Sequence, residues 1–179
     1  MEFRKISSEE FEFLRDSIKN TFNLQNFEEI VAPFNIIIVL GKWKEILLIS
    51  DQLLRIFQEF KKVRAPYFMG IYFGDISRNK FKISLEGITF LSKYLDKQTI
   101  LNDSGEKKVL YGRDLSKKDV KSIPYPLKKY EMSVLVNVHE EVIALGKYLY
   151  SGEIIREMDS TQKIIKNVID KGWYLRKGQ

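Results

Sequence analysis

The residues best suited to bind a ligand lie in one basic stretch, from Lys107 to Lys129. Its eight cations are Lys107, Lys108, Arg113, Lys117, Lys118, Lys121, Lys128 and Lys129. Against two aspartates the local balance is 8 − 2 = +6, which equals the net charge of the whole chain. The rest of the sequence is therefore close to neutral. A positive field concentrated on a short segment predicts binding to a phosphate backbone.

Other residue types argue against an enzyme or a metal site. Cysteine is absent, which excludes disulfides and thiolate ligands and favours a reducing compartment. His139 is the only histidine, so the second histidine of a metal site is missing, and one histidine alone does not identify a catalytic triad. No phosphate-cradling P-loop occurs. We expect no catalysis, no cofactor and no metal, and we place His139 at a hairpin tip.

The sequence also predicts a soluble protein with no membrane partner. The N-terminus is charged and has no apolar signal-peptide run. The most apolar window, Ile30 to Ser50, is interrupted by Pro33, Gly41 and three charged residues, so it cannot span a bilayer. We expect a cytoplasmic location, or a nucleolar one if the source is eukaryotic. Lysine richness without cysteine is typical of a heat-adapted archaeon.

The elements of the first half alternate between helices and hairpins. The run Ser7-Ser8-Glu9-Glu10 is a capping box that predicts a helix over 8–22. Phe34–Leu40 and Trp43–Ile49 read as strands joined by a two-residue type II′ turn at Gly41-Lys42. The further expectations are a helix capped by Ser50 or Asp51 that ends before Pro66, strands at Phe68–Gly74 and Lys80–Ser84 around a polar loop at 75–79, and a helix over Leu85–Leu95.

The second half has many short strands instead, which indicates a small barrel or sandwich. The expected strands are Thr99–Leu101, Lys108–Tyr111, Met132–Val138, Val142–Tyr150 and Lys163–Ile169, with one short helix near Arg113–Lys118. We place the domain boundary so that 1–94 and 95–179 are separate domains. Their charges are 14 − 12 = +2 and 16 − 12 = +4. The predicted fold class is α+β: hairpins flanked by helices, then a barrel.

Three motifs in the second half resemble the PUA domain, the small RNA-binding pseudo-barrel of pseudouridine synthases and archaeosine transglycosylases. They are Ser104-Gly105 followed by Val109-Leu110-Tyr111-Gly112-Arg113-Asp114-Leu115, then Val142-Ile143-Ala144-Leu145-Gly146, then Gly172-Trp173-Tyr174-Leu175-Arg176. All three occur in order and at suitable intervals. The resemblance implies that residues 95–179 form a PUA pseudo-barrel.

The first half resembles the N-terminal domain of one PUA-containing family, the nuclear-import-protein-seven group of large-subunit ribosome biogenesis factors of archaea and eukaryotes. The matching residues are Gly70-Ile71-Tyr72-Phe73-Gly74, Lys80-Phe81-Lys82-Ile83 and Leu91, with the helix Phe11–Phe22 and the hairpin Phe34–Ile49 before them. In two places the chain departs from the PUA pattern. Asp119 and Tyr148 stand where glycines are usual, near the edge that faces RNA in the family.

The resemblance implies a set of RNA-binding residues. It places the segment after Gly112 on the nucleic-acid face, where the guanidinium of Arg113 can fork onto a phosphate or stack on a base. Lys117, Lys118 and Lys121 would add less directional charge. Lys147, just after Gly146, and the exposed Arg176 complete the set. Trp173 and Tyr174 are expected to pack in the barrel rather than to stack on RNA.

The function that follows is a non-catalytic RNA-binding protein in ribosome biogenesis and ribosomal RNA processing. Two alternatives stay open: an accessory subunit that presents transfer RNA to a modification enzyme, and a protein-interaction adaptor with a structural PUA domain. The near-neutral first half carries many aromatics, and any that remain exposed would form a docking patch for other assembly factors. These aromatics are Phe27, Phe34, Trp43, Phe57, Phe60 and Phe68.

Overall fold

The structure is a computed structural model that describes residues 2–60 and 69–176, without the side chains of Phe60, Tyr174 and Leu175. The chain divides into two compact units, Met1–Gly87 and Ile88–Gln179. The domain boundary expected after residue 94 stays a prediction, since only separate expression of the two parts would test it. Among the described residues, no helix has the length and hydropathy needed to cross a bilayer.

The first unit is an antiparallel five-stranded sheet with helices, in the strand order β1-β2-β3-β4-β5. Its elements are β1 (Glu2–Lys5), α1 (Ser8–Phe22), α2 (Phe27–Val31), β2 (Phe34–Leu40), β3 (Lys44–Ser50), α3 (Asp51–Phe60), β4 (Ile71–Ser77) and β5 (Lys80–Ile83). The next helix, α4 (Leu85–Ser92), begins at the end of this unit. The expected hairpins flanked by helices are confirmed.

Helix α1 begins where its capping box predicts. Ser7 Oγ accepts from the backbone N–H of Glu10 at 3.2 Å, and the Glu10 carboxylate accepts from the N–H of Ser7 at 3.2 Å. The same carboxylate binds the Arg4 guanidinium and the Lys44 ammonium, the latter at 2.7 Å. Glu10 therefore fixes the start of α1 against strands β1 and β3.

Both hairpin turns of this unit differ from expectation. Leu40 pairs with Lys44, so the first loop has three residues, and the predicted two-residue type II′ turn is wrong. In the second hairpin Arg78 and Asn79 have φ of 48° and 56°, the left-handed pair of a tight two-residue turn. Strand β4 consequently continues through residues 75–77, where a polar loop was expected.

Three of the six aromatics considered for a docking patch are occupied in packing. Phe27 and Phe57 are buried, and Phe34 is half-buried. Trp43, in the first hairpin loop, is 43% exposed. Phe68 and the side chain of Phe60 lie outside the described residues. The described part of this unit therefore offers one exposed aromatic of the six rather than a patch of them.

The second unit is a six-stranded sheet in the order β7-β11-β10-β9-β6-β8, in which only β6 and β9 are parallel. Its elements are β6 (Gln98–Leu101), α5 (Asp103–Leu110), β7 (Leu115–Ser116), a 3₁₀ turn (Lys117–Asp119), β8 (Val120–Ser122), β9 (Met132–Val136), β10 (Val142–Tyr148), α6 (Gly152–Glu157), β11 (Lys163–Asp170) and α7 (Trp173–Arg176). His139 lies in the turn between β9 and β10, as expected.

This sheet must curl into a near-barrel. Strands β7 and β8 are its opposite edges, yet only the three residues of the 3₁₀ turn join them. That link spans roughly 15 Å at full extension. In a flat sheet five strand spacings would separate the edges by about 24 Å. Curling brings both edges and the intervening lysines to one side of the unit.

In the basic stretch a strand followed by a helix was predicted, but the structure has a helix followed by a strand. Residues 103–110 form helix α5, where a strand was predicted for Lys108–Tyr111. After Gly112 come a short strand and a 3₁₀ turn, where a helix was predicted for Arg113–Lys118. The cause is a cap six residues before the predicted strand: Asn102 Oδ1 accepts from the N–H of Gly105 at 3.0 Å and starts the helix.

Candidate nucleic-acid interface

A buried carboxylate, Asp119, organises the basic stretch. Its side chain is fully buried and accepts from Lys108 Nζ at 2.7 and 2.8 Å, from the N–H of Ser116 at 2.8 Å and from Ser104 Oγ at 3.3 Å. Burial alone would raise the pKa of Asp119, but these hydrogen bonds outweigh it and lower the pKa. Asp119 thus joins α5 to the 3₁₀ turn, and Lys108 is neutralised within the fold.

The C-terminal arginine holds the end of α5. The Arg176 guanidinium forks onto the Asp170 carboxylate at 3.0 Å for each nitrogen, and it donates to the backbone carbonyl of Leu110. Gly112 has φ of 74°, and a side chain there would come within 3.0 Å of this guanidinium. Arg176 therefore binds protein groups on one side, although 37% of its side chain remains exposed.

Arg113, the first-choice RNA ligand, is exposed and has no side-chain partner among the described residues. Asp114 neither pairs with Arg113 nor caps a helix. Its carboxylate accepts from the N–H of Asn167 at 3.1 Å and lies 3.8 Å from Lys163 Nζ. The loop is thus fixed through Asp114, and the guanidinium of Arg113 is left available.

The three lysines that follow differ in availability. Lys117 Nζ donates to the backbone carbonyls of Arg156 and Met158 at 2.7 and 2.9 Å, at the C-terminal end of α6. Lys118 and Lys121 are exposed, and within the described residues their ammonium groups have no hydrogen-bonded or ion-paired partner. Two of the three therefore face solvent freely, and Lys117 is engaged in capping a helix.

Lys147 belongs to a cluster that the sequence did not reveal. It is half-buried on β10, and its Nζ lies 5.1 Å from the ring centroid of Tyr130. Lys129 Nζ lies 4.8 Å from the same centroid. Arg156 repeats the arrangement on α6, with its guanidinium carbon 4.3 Å from the ring centroid of Tyr125. The interleaving of tyrosines and lysines over 125–130 was the available signal.

The structure links two of the predicted residues through this cluster. Lys117 binds the carbonyl of Arg156, whose side chain covers Tyr125, and Tyr125 lies five residues before Tyr130 beside Lys147. Arg113 and Arg176 share another locality, the loop after α5. The predicted set is therefore distributed over two neighbourhoods of the same unit, with Lys118 and Lys121 along the connecting turn and strand.

The two departures from the PUA pattern are interior residues. Asp119 is the hub described above, and Tyr148 is fully buried with its hydroxyl 2.5 Å from Thr99 Oγ1. Thr99 Oγ1 in turn lies 2.8 Å from Ser133 Oγ. Burial raises the pKa of Tyr148, so the hydroxyl stays protonated. Both side chains stabilise the near-barrel from inside.

The described residues contain no group of three or more His, Asp or Glu side chains that could hold a metal ion. The buried carboxylates of this unit are paired: Asp119 binds Lys108 and the N–H of Ser116, and Asp170 binds Arg176. The exposed cations and tyrosines of this unit supply guanidinium, ammonium and phenol groups, which bind anions and stack on planar rings.

Comparison with known families decides the nature of the second unit. The family described as UPF0113 PUA domain matches residues 97–179. This segment is a PUA domain. The resemblance read from the three sequence motifs is thereby confirmed, and the near-barrel sheet is the one it implied.

Two relatives extend the similarity. A UPF0113 protein of Archaeoglobus fulgidus is 23% identical over 176 residues, covering 98% of this chain and 95% of that protein. The 60S ribosome subunit biogenesis protein nip7 of Schizosaccharomyces pombe is 24% identical over 109 residues, covering 60% of this chain and 61% of that protein. The similarity to the first therefore includes both units.

Solved structures share the fold of nearly the whole chain. A hypothetical protein of Pyrococcus horikoshii aligns with a TM-score of 0.65 at 12% identity over 97% of this chain and 99% of its own. A conserved PUA domain protein of Thermoplasma acidophilum aligns with a TM-score of 0.63 at 11% identity over 99% of both chains. The arrangement of a five-stranded unit followed by a PUA domain is thus a recurring one.

Proposed function

We propose that the protein is a non-catalytic RNA-binding factor that acts in large-subunit ribosome biogenesis and ribosomal RNA processing. The observation that carries the proposal is the set of unpaired cations on a PUA domain. The side chains of Arg113, Lys118 and Lys121 have no hydrogen-bonded or ion-paired partner among the described residues, so they are available to a ligand. The similarity to a ribosome biogenesis protein of fission yeast favours ribosomal RNA as that ligand.

The roles of the predicted residues follow from their partners. Arg113 provides the oriented contact, because a free guanidinium can fork onto a phosphate. Lys118 and Lys121 provide point charges, and Lys147 provides a charge beside an aromatic ring. Lys117 and Arg176 also contribute positive potential, but their donors are largely taken by carbonyls and by Asp170. They act mainly by holding the other groups in place.

The two alternative functions, a subunit that presents transfer RNA and a protein-interaction adaptor, have less support. Presentation of transfer RNA would use the same cations, and no relative reported above carries such a name. A protein adaptor would need a contiguous exposed apolar surface, and in the described part of the first unit the exposed large apolar residues are three: Trp43, Leu53 and Ile56. We place the protein in the cytoplasm because the chain has no cysteine and because its proposed ligand is RNA.

The identity of the RNA is tested by crosslinking in cells, followed by purification of the protein and sequencing of the attached RNA. We expect pre-ribosomal sequences of the large subunit. Enrichment of transfer RNA would favour the accessory-subunit alternative, and the absence of RNA would favour the adaptor.

The site is tested by the salt dependence of binding to a single-stranded oligonucleotide. Three phosphate contacts contribute about −2 to the log–log slope, because each contact on a single strand contributes about −0.7. Replacing Arg113, Lys118 and Lys121 by Gln should therefore flatten the slope by about 2. The matched control replaces the exposed Lys5, Lys19 and Lys80 of the first unit by Gln, which removes the same charge elsewhere. Equal slopes for the two triple variants would place the RNA on another surface.

A further inference from the structure

Tyr130 is an exposed ring that the fold holds between two cations. Its side chain is 55% exposed, and the ammonium groups of Lys129 and Lys147 lie 4.8 and 5.1 Å from the ring centroid. Its φ is 66°, a left-handed conformation that is unfavourable for a residue with a side chain. The backbone N–H of Tyr130 donates to the carbonyl of Tyr148 at 3.0 Å and maintains this conformation. The exposed position of the ring is therefore imposed by the fold.

Tyr125 is held in a similar way against helix α6. It is 58% exposed, and the Arg156 guanidinium lies 4.3 Å from its centroid. The ring lies beside Gly152, one turn before Arg156, since a Cβ at this position would be 3.5 Å from ring carbon Cδ2, an ordinary van der Waals distance. The N–H of Gly152 also donates to the carbonyl of Leu127 at 3.0 Å. Ring, cation and helix thus form one fixed arrangement.

The segment between the two rings is anchored. Leu127 is buried in the core of the PUA domain. Lys97 Nζ donates to the carbonyl of Pro126 at 2.6 Å and pairs with Glu131 at 3.1 Å, and the other oxygen of Glu131 accepts from the N–H of Lys128 at 2.7 Å. The two rings therefore keep their positions without a ligand, which lowers the entropic cost of binding one.

The charge around the rings favours an anionic occupant. Residues 121–130 contain three lysines and no acidic residue, and Lys147 and Arg156 add two more cations beside the rings. Glu131, the nearest acidic residue in sequence, is paired with Lys97. Single surface tyrosines are common and need no function. Two fixed, half-exposed rings that each carry a cation suit a chain that alternates aromatic bases with phosphates.

We propose that Tyr125 and Tyr130 stack on unpaired bases of single-stranded RNA, while Lys129, Lys147 and Arg156 bind the flanking phosphates. The inference rests on the proposed function and adds that the RNA must be unpaired here. Bases in a duplex are stacked on each other and do not offer their faces to a protein ring. Stacking on tyrosine is tolerant of sequence, so this surface selects single strands rather than a particular base.

The test compares Tyr125→Leu/Tyr130→Leu with the parent on a single-stranded oligouridine and on an RNA duplex of the same length. We expect about a tenfold loss per ring on the single strand, an unchanged salt slope and an unchanged affinity for the duplex. Tyr125→Phe/Tyr130→Phe keeps both rings and should bind like the parent. The matched control is Tyr94→Leu, since Tyr94 is 39% exposed and also lies beside a lysine, with Lys93 Nζ at 5.1 Å.

The outcomes separate this inference from the proposed function. A parent protein that binds neither RNA overturns both. A parent that binds, with a Leu variant that binds the single strand equally well, overturns the stacking role and leaves the proposed function intact. An equal loss on single strand and duplex also overturns it. If the Leu variant does not fold, the variant Lys129→Gln/Lys147→Gln replaces it, because it leaves both tyrosine rings in place. The salt slope of single-strand binding should then flatten by about 1.4. An unchanged slope rejects the proposal.

Discussion

Two groups of cations in the PUA domain use the same residue types differently. Lys108, Lys117 and Arg176 bind a carboxylate or backbone carbonyls and connect elements of the fold. Lys129, Lys147 and Arg156 lie over tyrosine rings that are more than half exposed. The first group stabilises the domain, and the second adds positive charge to its surface. A count of basic residues therefore overstates the positive charge that is free to bind a ligand.

The largest effect should come from Asp119, the acceptor at the centre of the first group. Asp119→Ala leaves the N–H of Ser116 and the ammonium of Lys108 without their buried partner, so the free energy of unfolding should fall by about 3 kcal/mol or more. Urea denaturation measures this. Asp96→Ala, at an exposed position, should change it by less than about 0.5 kcal/mol. A small loss for Asp119→Ala would mean that the hub is not stabilising.

Smaller effects should distinguish Arg176, which acts on stability, from Arg113, which acts on RNA binding. Arg176→Gln breaks the fork onto buried Asp170 and should lower the free energy of unfolding by about 2 kcal/mol. Arg113→Gln should leave stability nearly unchanged and weaken RNA binding. Both variants need urea denaturation and RNA titration. The comparison fails if Arg113→Gln destabilises the protein as much as Arg176→Gln does.

Lys117 and Lys118 should show the same contrast between stability and RNA binding, with smaller effects. Lys117→Met removes the donor to two carbonyls at the end of α6 and should cost about 1 kcal/mol of stability. Lys118→Met should cost little stability but should flatten the salt slope of RNA binding by about 0.7. Thermal unfolding and RNA titration at several salt concentrations test the pair. Identical behaviour of the two lysines would contradict the distinction between cations that hold the fold and cations that are free.

The smallest expected change is in how the free energy of unfolding depends on pH under acidic conditions. Because the folded protein lowers the pKa of Asp119, its stabilisation is complete above the unfolded-state pKa of about 4 and is lost as the pH falls through the lower folded-state pKa. Asp119→Asn should therefore reduce the dependence of unfolding free energy on pH below about 4. Urea denaturation at several acidic pH values tests this. A pH profile parallel to that of the parent would rule Asp119 out as its source.

The sequence predicted secondary structure correctly where several local signals agreed. The capping box of α1 and the isoleucine- and valine-rich strands β2 and β3 agree in cap, period and length, and all three elements were found as expected. Three apolar residues at 109–111 fit either a strand or a helix, so their period alone could not decide. The helix is decided by its cap at Asn102, which lies two residues before the motif that begins at Ser104.

The site was only partly predictable because its distinctions are non-local. Lys117 and Lys118 are identical neighbours in sequence, yet only Lys117 meets the carbonyls of residues 156 and 158. Arg176 is likewise engaged through Leu110, which lies 66 residues earlier. No spacing rule connects such pairs. The sequence could therefore nominate the cations but could not sort them into those that hold the fold and those that are free.

The strand order has a consequence for how the protein is made. Edge strand β7 joins the sheet only through β11, where Ser116 pairs with Lys163, a separation of 163 − 116 = 47 residues. Contacts so distant in sequence form slowly, and synthesis from the N-terminus delays them further. On the translating ribosome the loop that carries Arg113 lacks its final support until β11 has emerged. We expect a nascent chain stalled before residue 163 to be protease-sensitive throughout this domain.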